Sequence, residues 1–346
     1  MKNSIGFNLP TFILYLGITS APLSTAHAFQ IGSAVSTFCH EKITLLGAFC
    51  KTHTCSEQII LPTDTVKYEI EEDDSLFIGM SDYFQGHLTD TQVFNNPFQR
   101  FVATNLLIGA RYPDQAGFAI TDLNALRQIH LSETGQEAHA LRGTDDNGPE
   151  GAQVAIDRTK NYILEKIKQA RAAFRKSVTP DGKVTTESMR SQTQEKEFFL
   201  EFYGTLRVKV WMPIFLLGEA IHAFQDSYTH SYRSADGKVI YEVLNYVEAI
   251  SGSLTEVHDG PAHSDSLDNC LDPELEGLFR AAIEGSREVF LGIKEYFAVC
   301  DDDNNSPAAA AALKNISYRL DSLMKYEPGC GYDENYCDSP WVPLAK

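Results

Sequence analysis

The sequence predicts an all-α fold, a single multi-helix domain with long irregular loops. Two observations support this prediction. Most periodic segments carry apolar residues at three-to-four spacing, and alternation with period two is scarce. The chain of 346 residues has 43% hydrophobic residues, with 20 Phe and 15 Tyr. Such a composition excludes a wholly disordered chain, because enough apolar surface is available to form a core.

The individual helices are predicted where apolar residues recur at this three-to-four spacing. The clearest helix is predicted over 151–174, where Ile156, Ile163, Ile167 and Phe174 recur on one face with charged residues between them. Pro213 is expected to open another helix, since the first turn tolerates proline. The remaining predicted helices are 40–49, 195–206, 288–300 and 308–323. The best strand candidate is 65–70, within a stretch from about 51 to 98 that is expected to be irregular.

The first 28 residues have the features of a secretory signal peptide. The apolar run from Leu9 to Ile18 is too short to span a bilayer, and Ala26-His27-Ala28 fits a signal-peptidase site. Cleavage there would leave Phe29 as the mature N-terminus and 29–346 as the folded domain. No later segment reaches the roughly 18 uncharged apolar residues that a spanning helix needs. A secreted or periplasmic protein without stable transmembrane insertion is therefore expected.

Seven cysteines suit an oxidising compartment, and the odd number leaves at least one unpaired within the chain. Cys330 and Cys337 enclose a short loop and are the best candidates for a disulfide. The pairing of the other cysteines is left open by the sequence.

The charges disfavour a polyanionic partner. The chain has 29 Lys and Arg against 47 Asp and Glu, a formal net charge of -18. No run of basic residues is present, so no nucleic acid partner is expected.

The predicted helix from Pro213 carries a polar stripe on an otherwise apolar surface. At 100° per residue, Glu219, His222, Asp226 and His230 fall within about 80° of one another. Ionisable groups buried without partners would cost several kcal/mol, and a divalent cation would supply the partner. His222 and Asp226 are one turn apart, so both can reach one ion. A structural His–Asp hydrogen-bond pair on a partly wet helix is the alternative interpretation.

Further candidate ligands are histidines and carboxylates outside this helix. They are His40, Asp114, His139, and the loop residues His258 and His263 together with Asp268. With ten histidines in the chain, many of them beside acidic residues, the pattern predicts a multi-metal site. No G-x-S-x-G, P-loop or H-E-x-x-H motif offers a competing catalytic system.

Several short segments between Phe29 and about His230 resemble the zinc-dependent phospholipase C family, which shares its all-helical fold with S1/P1-type nucleases. The most specific segment is Leu217-Gly218-Glu219-Ala220-Ile221-His222-Ala223-Phe224-Gln225-Asp226. Others are the segment around His40 and the loop Arg142-Gly143-Thr144-Asp145-Asp146-Asn147-Gly148 after His139.

The resemblance implies two or three Zn²⁺ ions. The backbone amine and carbonyl of Phe29 would share one ion with His40. The other implied ligands are Asp114, His139, His222, Asp226 and His230. The family's usual His, with a Glu one turn later, is absent between His230 and His258. His258, His263 and Asp268 are therefore expected to complete the third site with a different spacing.

The resemblance also implies the reaction. It predicts hydrolysis of glycerophospholipids, with phosphatidylcholine as the expected substrate at a membrane surface, to diacylglycerol and a phosphorylated head group. Asp114 is expected to be a metal ligand or the general base. A single-strand nuclease on the same fold and a secreted zinc-binding protein without activity are the two alternatives.

Overall fold

The computed structural model describes residues 39–50, 59–70, 97–119, 121–200, 204–301, 303–304 and 306–345. This part of the chain is mostly helical, with 60% of the described residues in helix and a few small sheets. The prediction of a helix-dominated fold is therefore confirmed. The predicted signal peptide and Phe29 lie outside the described residues.

Eleven α-helices are described. They are α1 (Cys39–Phe49), α2 (Pro97–Gln115), α3 (Leu123–Leu131), α4 (Glu133–Ala138), α5 (Gly148–Ser177), α6 (Thr186–Arg190), α7 (Met212–Thr229), α8 (Val247–Ser251), α9 (Glu256–Asp259), α10 (Glu276–Ala298) and α11 (Pro307–Leu323). Short 3₁₀ segments occur at Asp265–Asp268, Pro273–Leu275 and Tyr332–Asp338.

The strands of the described residues form three small sheets. They are β1 (Lys67–Glu69), β2 (Lys183–Thr185), β3 (Thr193–Leu200), β4 (Gly204–Trp211), β5 (Ser231–Arg233), β6 (Val239–Val243) and β7 (Lys325–Tyr326). β1 and β2 pair in parallel and β3 pairs with β4 antiparallel, while β6 lies between β5 and β7. The predicted strand over 65–70 is confirmed as β1.

The helix predicted over 195–206 was wrong, because this segment forms the β3–β4 hairpin. In β4, half-buried Leu206 and Val208 alternate with exposed Arg207 and Lys209. That period of two is the signal of a half-buried strand. The aromatic residues of β3 obscured it, since they pack equally well from a helix or a strand.

The core is organised around α7, which packs mainly against α2 and α5. Two glycines bring α2 and α7 into backbone contact. A Cβ at Gly109 would overlap the carbonyl oxygen of Phe215, and one at Gly218 would overlap that of Leu106. The end of α2 is therefore held close to the middle of α7, and Asp114 lies in that last turn of α2.

Two disulfides join described residues. Cys330 and Cys337 are bonded, as predicted, and Cys39 is bonded to Cys270. Cys300 is a free, exposed cysteine. Disulfides are typical of proteins that fold in oxidising compartments.

No helix among the described residues is long and apolar enough to cross a membrane.

Loss of the Cys39–Cys270 bond is expected to cost more stability than loss of Cys330–Cys337. The first closes a sequence separation of 231 residues and the second one of 7. Chain entropy then predicts about 5 kcal/mol for the first and about 2.5 kcal/mol for the second. Urea unfolding of the two double Cys→Ala variants measures this. An equal loss in both would contradict the expectation.

Candidate metal centre

The polar stripe of α7 is buried, as expected, but it divides into two parts. His222 and Asp226 are fully buried and face the end of α2. Glu219 instead pairs with Lys166 of α5, with 2.8 Å between Nζ of the lysine and Oε2 of the glutamate. Glu219 therefore already has a cationic partner, while the rest of the stripe meets other histidines and carboxylates.

Four ligand atoms from three parts of the chain converge on one point. Nδ1 of His139 and Nε2 of His222 lie 2.9 and 3.0 Å from Oδ2 of Asp226, and 3.1 Å from each other. The same two nitrogens lie 3.5 and 3.6 Å from Oδ1 of Asp114. We call these four residues the first cluster. Ligands in a tetrahedral zinc site are about 3.3–3.5 Å apart, from bond lengths near 2.0–2.2 Å.

A network of hydrogen bonds alone does not account for this arrangement. If His139 and His222 both donate to Oδ2 of Asp226, their two N–H groups face each other at 3.1 Å. Neither oxygen of Asp114 then has a hydrogen-bond partner among the described residues, although the side chain is buried. A buried carboxylate without a partner is costly, and a cation among these four atoms removes both problems. The residues present therefore fit a divalent metal ion.

His40 extends the first cluster through the other oxygen of Asp226. Its Nε2 lies 3.0 Å from Oδ1 of Asp226. Its Nδ1 lies 2.7 Å from the amide oxygen of Gln225, whose own amide nitrogen donates to Thr44. An amide oxygen can only accept, so Nδ1 of His40 carries a hydrogen and Nε2 is directed at the carboxylate. Asp226 can therefore serve two cations, one through each oxygen.

A second cluster consists of His230, His263 and Asp268, whose ligand atoms lie within 4.8 Å of one another. Nε2 of His230 is 3.8 Å from Oδ1 of Asp268, and Nε2 of His263 is 3.5 Å from Oδ2. The Nδ1 atom of His230 donates to the backbone carbonyl of His139. Its Nε2 lone pair therefore faces a carboxylate, and two acceptors facing each other in a buried site call for a cation between them.

The pKa values support neutral imidazoles in the second cluster. Burial lowers the pKa of His230 to about 4, despite the opposing charge of Asp226. Burial and then the neighbouring His230 depress the pKa of His263 well below its usual range. Burial, followed by the charge of Asp226, raises the pKa of Asp268 well above its usual range. The ionised form of Asp268 thus lacks a positive partner, which a bound metal would supply.

The first cluster is different, because its carboxylates and the neighbouring His40 favour each other's charged forms. Burial raises the pKa of Asp114, but the charges of His222 and the neighbouring histidines outweigh it and bring the pKa to about 2. Burial lowers the pKa of His40, but Asp226 outweighs that effect and raises it to about 9. Protons on these histidines and a metal ion compete for the same lone pairs.

The predicted ligands are brought together to different extents. His40, Asp114, His139, His222 and Asp226 converge, and His230 and His263 lie in the second cluster. His258 does not join either cluster, because it lies in α9 with 62% of its side chain exposed and pairs with Asp259 at 2.6 Å. Phe29 lies outside the described residues, so its role stays a prediction.

Asp268, which the sequence analysis named as a candidate ligand beside His258 and His263, lies in the second cluster. One residue that the structure brings to the first cluster was not predicted. His130 carried no signal, because it lies in a short helix without a recognisable motif. It is 5% exposed, and its Nε2 lies 3.9 Å from Oδ1 of Asp114.

A cavity of about 500 Å³ reaches the first cluster at His139. Its lining combines aromatic and acidic side chains with one lysine, Lys166. The aromatic residues are Tyr112, Phe118 and Tyr162, and the acidic residues are Glu137, Glu165 and Glu219. Glu219 pairs with Lys166, and Glu165 pairs with Lys168 at 2.5 Å between Nζ and Oε2, so ion pairs offset two of these three carboxylates.

The fold and the site define a mostly helical, disulfide-bonded protein with two buried His/Asp clusters that could bind metal ions. Comparisons with models of protein families, with curated proteins and with solved structures find no match in any of the three.

Proposed function

We propose that the protein is a secreted zinc-dependent phosphodiesterase of the phospholipase C type, with the helical fold of that family. Its substrate would be a glycerophospholipid, and phosphatidylcholine is the specific substrate that we propose. The observation that carries the proposal is the convergence of ligand atoms of Asp114, His139, His222 and Asp226, which lie within 4.8 Å of one another. The second cluster lies next to it, because His230 contacts both Asp226 and the backbone of His139.

Zinc is favoured by the chemistry of the donor set. Each cluster combines imidazole nitrogens with carboxylate oxygens, and imidazole suits zinc better than magnesium or calcium, which prefer oxygen ligands. Bound in pairs, such ions polarise phosphoryl oxygens, acidify water and offset the charge of the leaving alkoxide.

Asp114 is suited to hold a cation at this site. Its Oδ1 faces the two cluster histidines. Both of its oxygens are buried, and neither has a hydrogen-bond partner among the described residues. The low pKa of Asp114 keeps this group ionised at neutral pH, but it also makes the carboxylate a weak base. Of the two predicted roles, metal ligand and general base, we therefore propose the first.

The cavity beside His139 supports a cationic head group. A quaternary ammonium is attracted both by aromatic faces and by carboxylates. Lys166 is already paired with Glu219, and it lies 5.2 Å from the centre of the Tyr162 ring. A nuclease would instead need a basic groove along its substrate, with aromatic side chains for stacking. The aromatics of this cavity would serve both substrates, but its one lysine is already paired with Glu219, so the lining offers no basic groove for a nucleic acid.

Removal of the metal tests this function. We expect the purified protein to contain two or three zinc ions and to hydrolyse phosphatidylcholine vesicles. Chelation should abolish the activity and zinc should restore it. Chelation should also lower the free energy of unfolding by about 2–4 kcal/mol, because the ligand stabilises only the folded state.

The substrates distinguish the alternatives. Phosphatidylglycerol vesicles with the same acyl chains test the head group, and single-stranded DNA and RNA test the nuclease alternative. Faster turnover of nucleic acid than of lipid would favour a nuclease. Zinc binding without turnover of any of these substrates would favour the non-catalytic protein, and absence of zinc would reject the metal centre itself.

A further inference from the structure

His130 lies beside the first cluster but comes from a different part of the chain than the four converging ligands. It occupies the last turn of α3 and is 5% exposed. Its ring stacks on that of His139, with centroids 4.6 Å apart and an angle of 17° between the planes. The centroid of the Tyr246 ring lies 6.1 Å from that of His130, with an angle of 60° between the planes. The imidazole is therefore enclosed by packing and oriented toward the cluster.

The two ring nitrogens of His130 have different environments. Nδ1 lies 2.7 Å from the carbonyl oxygen of Leu126, four residues earlier in α3. That oxygen can only accept, so Nδ1 carries the hydrogen and donates. Nε2 of the neutral ring is then an acceptor, and among the described residues it has no hydrogen-bond partner.

The nearest acidic atom to this nitrogen is itself without a hydrogen-bond partner. Nε2 of His130 lies 3.9 Å from Oδ1 of Asp114, too far for a direct hydrogen bond. Two buried acceptors thus face each other, and each would cost about 1–3 kcal/mol if left unsatisfied. A shared cation satisfies both.

The same arrangement recurs at two predicted ligands. Nδ1 of His40 donates to the amide oxygen of Gln225, and Nδ1 of His230 donates to the carbonyl of His139. In each case Nε2 is directed at a carboxylate. Histidines that bind metals commonly donate their other ring N–H to a carbonyl or carboxylate, which sets the tautomer and the ring orientation.

We infer that Nε2 of His130 is a further metal ligand on the Asp114 side of the first cluster, where it would share an ion with Asp114 rather than with all four ligands of that cluster. Oδ1 of Asp114 is then surrounded by nitrogens of His139, His222 and His130 at 3.5, 3.6 and 3.9 Å. This inference rests on the proposed metal centre, but not on the proposed substrate.

Two substitutions separate a ligand from a structural histidine. His130→Asn retains an amide nitrogen near the position of Nδ1, which can still donate to Leu126, but it removes Nε2. His130→Gln instead places a polar atom near the position of Nε2. His258→Asn is the matched control, since that histidine is exposed and belongs to neither cluster.

The readouts are zinc content, zinc affinity by competition with a chromophoric chelator, and the visible absorption of the Co²⁺-substituted protein. We expect His130→Asn to weaken binding of one ion by at least about 10–100-fold, the loss typical of disturbing even an outer partner of a metal site. The Co²⁺ bands should change in the same variant. His130→Gln should lie between His130→Asn and the wild type, and His258→Asn should match the wild type.

Wild-type zinc affinity and wild-type Co²⁺ bands in His130→Asn would overturn this inference and leave the proposed centre intact. If His130→Asn does not fold, the same two results in His130→Gln would overturn it. A wild-type protein that binds no zinc would reject the inference together with the proposed function.

Discussion

Replacement of His222 or Asp226 by alanine is expected to abolish turnover and to reduce bound zinc. Asp226 should have the larger effect, because its two oxygens contact different partners: Oδ1 faces His40, and Oδ2 faces His139 and His222. A metal ion supplies several kcal/mol of transition-state stabilisation, so the rate should fall by about 10³-fold or more.

The zinc content distinguishes loss of a ligand from general damage. His222→Ala should reduce the affinity for one ion, whereas Asp226→Ala should reduce the affinity for two. Asp226→Asn keeps the shape of the side chain and removes its charge, so it should resemble Asp226→Ala in metal content. His258→Ala serves as the control on an exposed histidine. Full activity with undiminished metal in either His222→Ala or Asp226→Ala would reject the assignment.

Replacement of Asp268 by asparagine should remove one zinc ion while leaving the metal-free protein at least as stable. The carboxylate is fully buried, and neither of its oxygens has a hydrogen-bond partner among the described residues. An ionised group in that position destabilises the metal-free fold, and the neutral amide removes that cost. Zinc content and urea unfolding in excess chelator measure the two effects.

His258 and His263 provide the comparison for Asp268→Asn, because only His263 contacts Asp268. His263→Ala should lose the same ion as Asp268→Asn, because its Nε2 faces Asp268. His258→Ala should change stability by no more than about 0.5 kcal/mol and leave zinc content unchanged, as expected for an exposed side chain away from a site. A metal-free Asp268→Asn protein that is clearly less stable, yet retains all its zinc, would show that Asp268 is structural.

The long helices were predictable because their signal is local. The periodicity of α5 and the apolar run of α7 are properties of neighbouring residues, and the one-turn spacing of His222 and Asp226 follows from helix geometry alone. The β3–β4 hairpin was missed because its aromatic residues fit both structures, and the alternation along β4 was the better signal. His230, which the sequence analysis placed on the polar stripe of this helix, is its C-cap, because α7 ends at Thr229.

The candidate site also has a part that local sequence predicts and a part that it does not. The sequence by itself determined that α7 carries a buried polar stripe and that several histidines and carboxylates accompany it. Only the tertiary structure decided which of these side chains meet. Glycine contacts place Asp114 against α7, and Glu219 pairs with Lys166 instead of joining the cluster. His263 is buried beside Asp268, whereas His258 stays exposed. Helical spacing constrains residues a few positions apart. Packing and the Cys39–Cys270 bond determine which distant segments adjoin, and neither can be calculated from local periodicity.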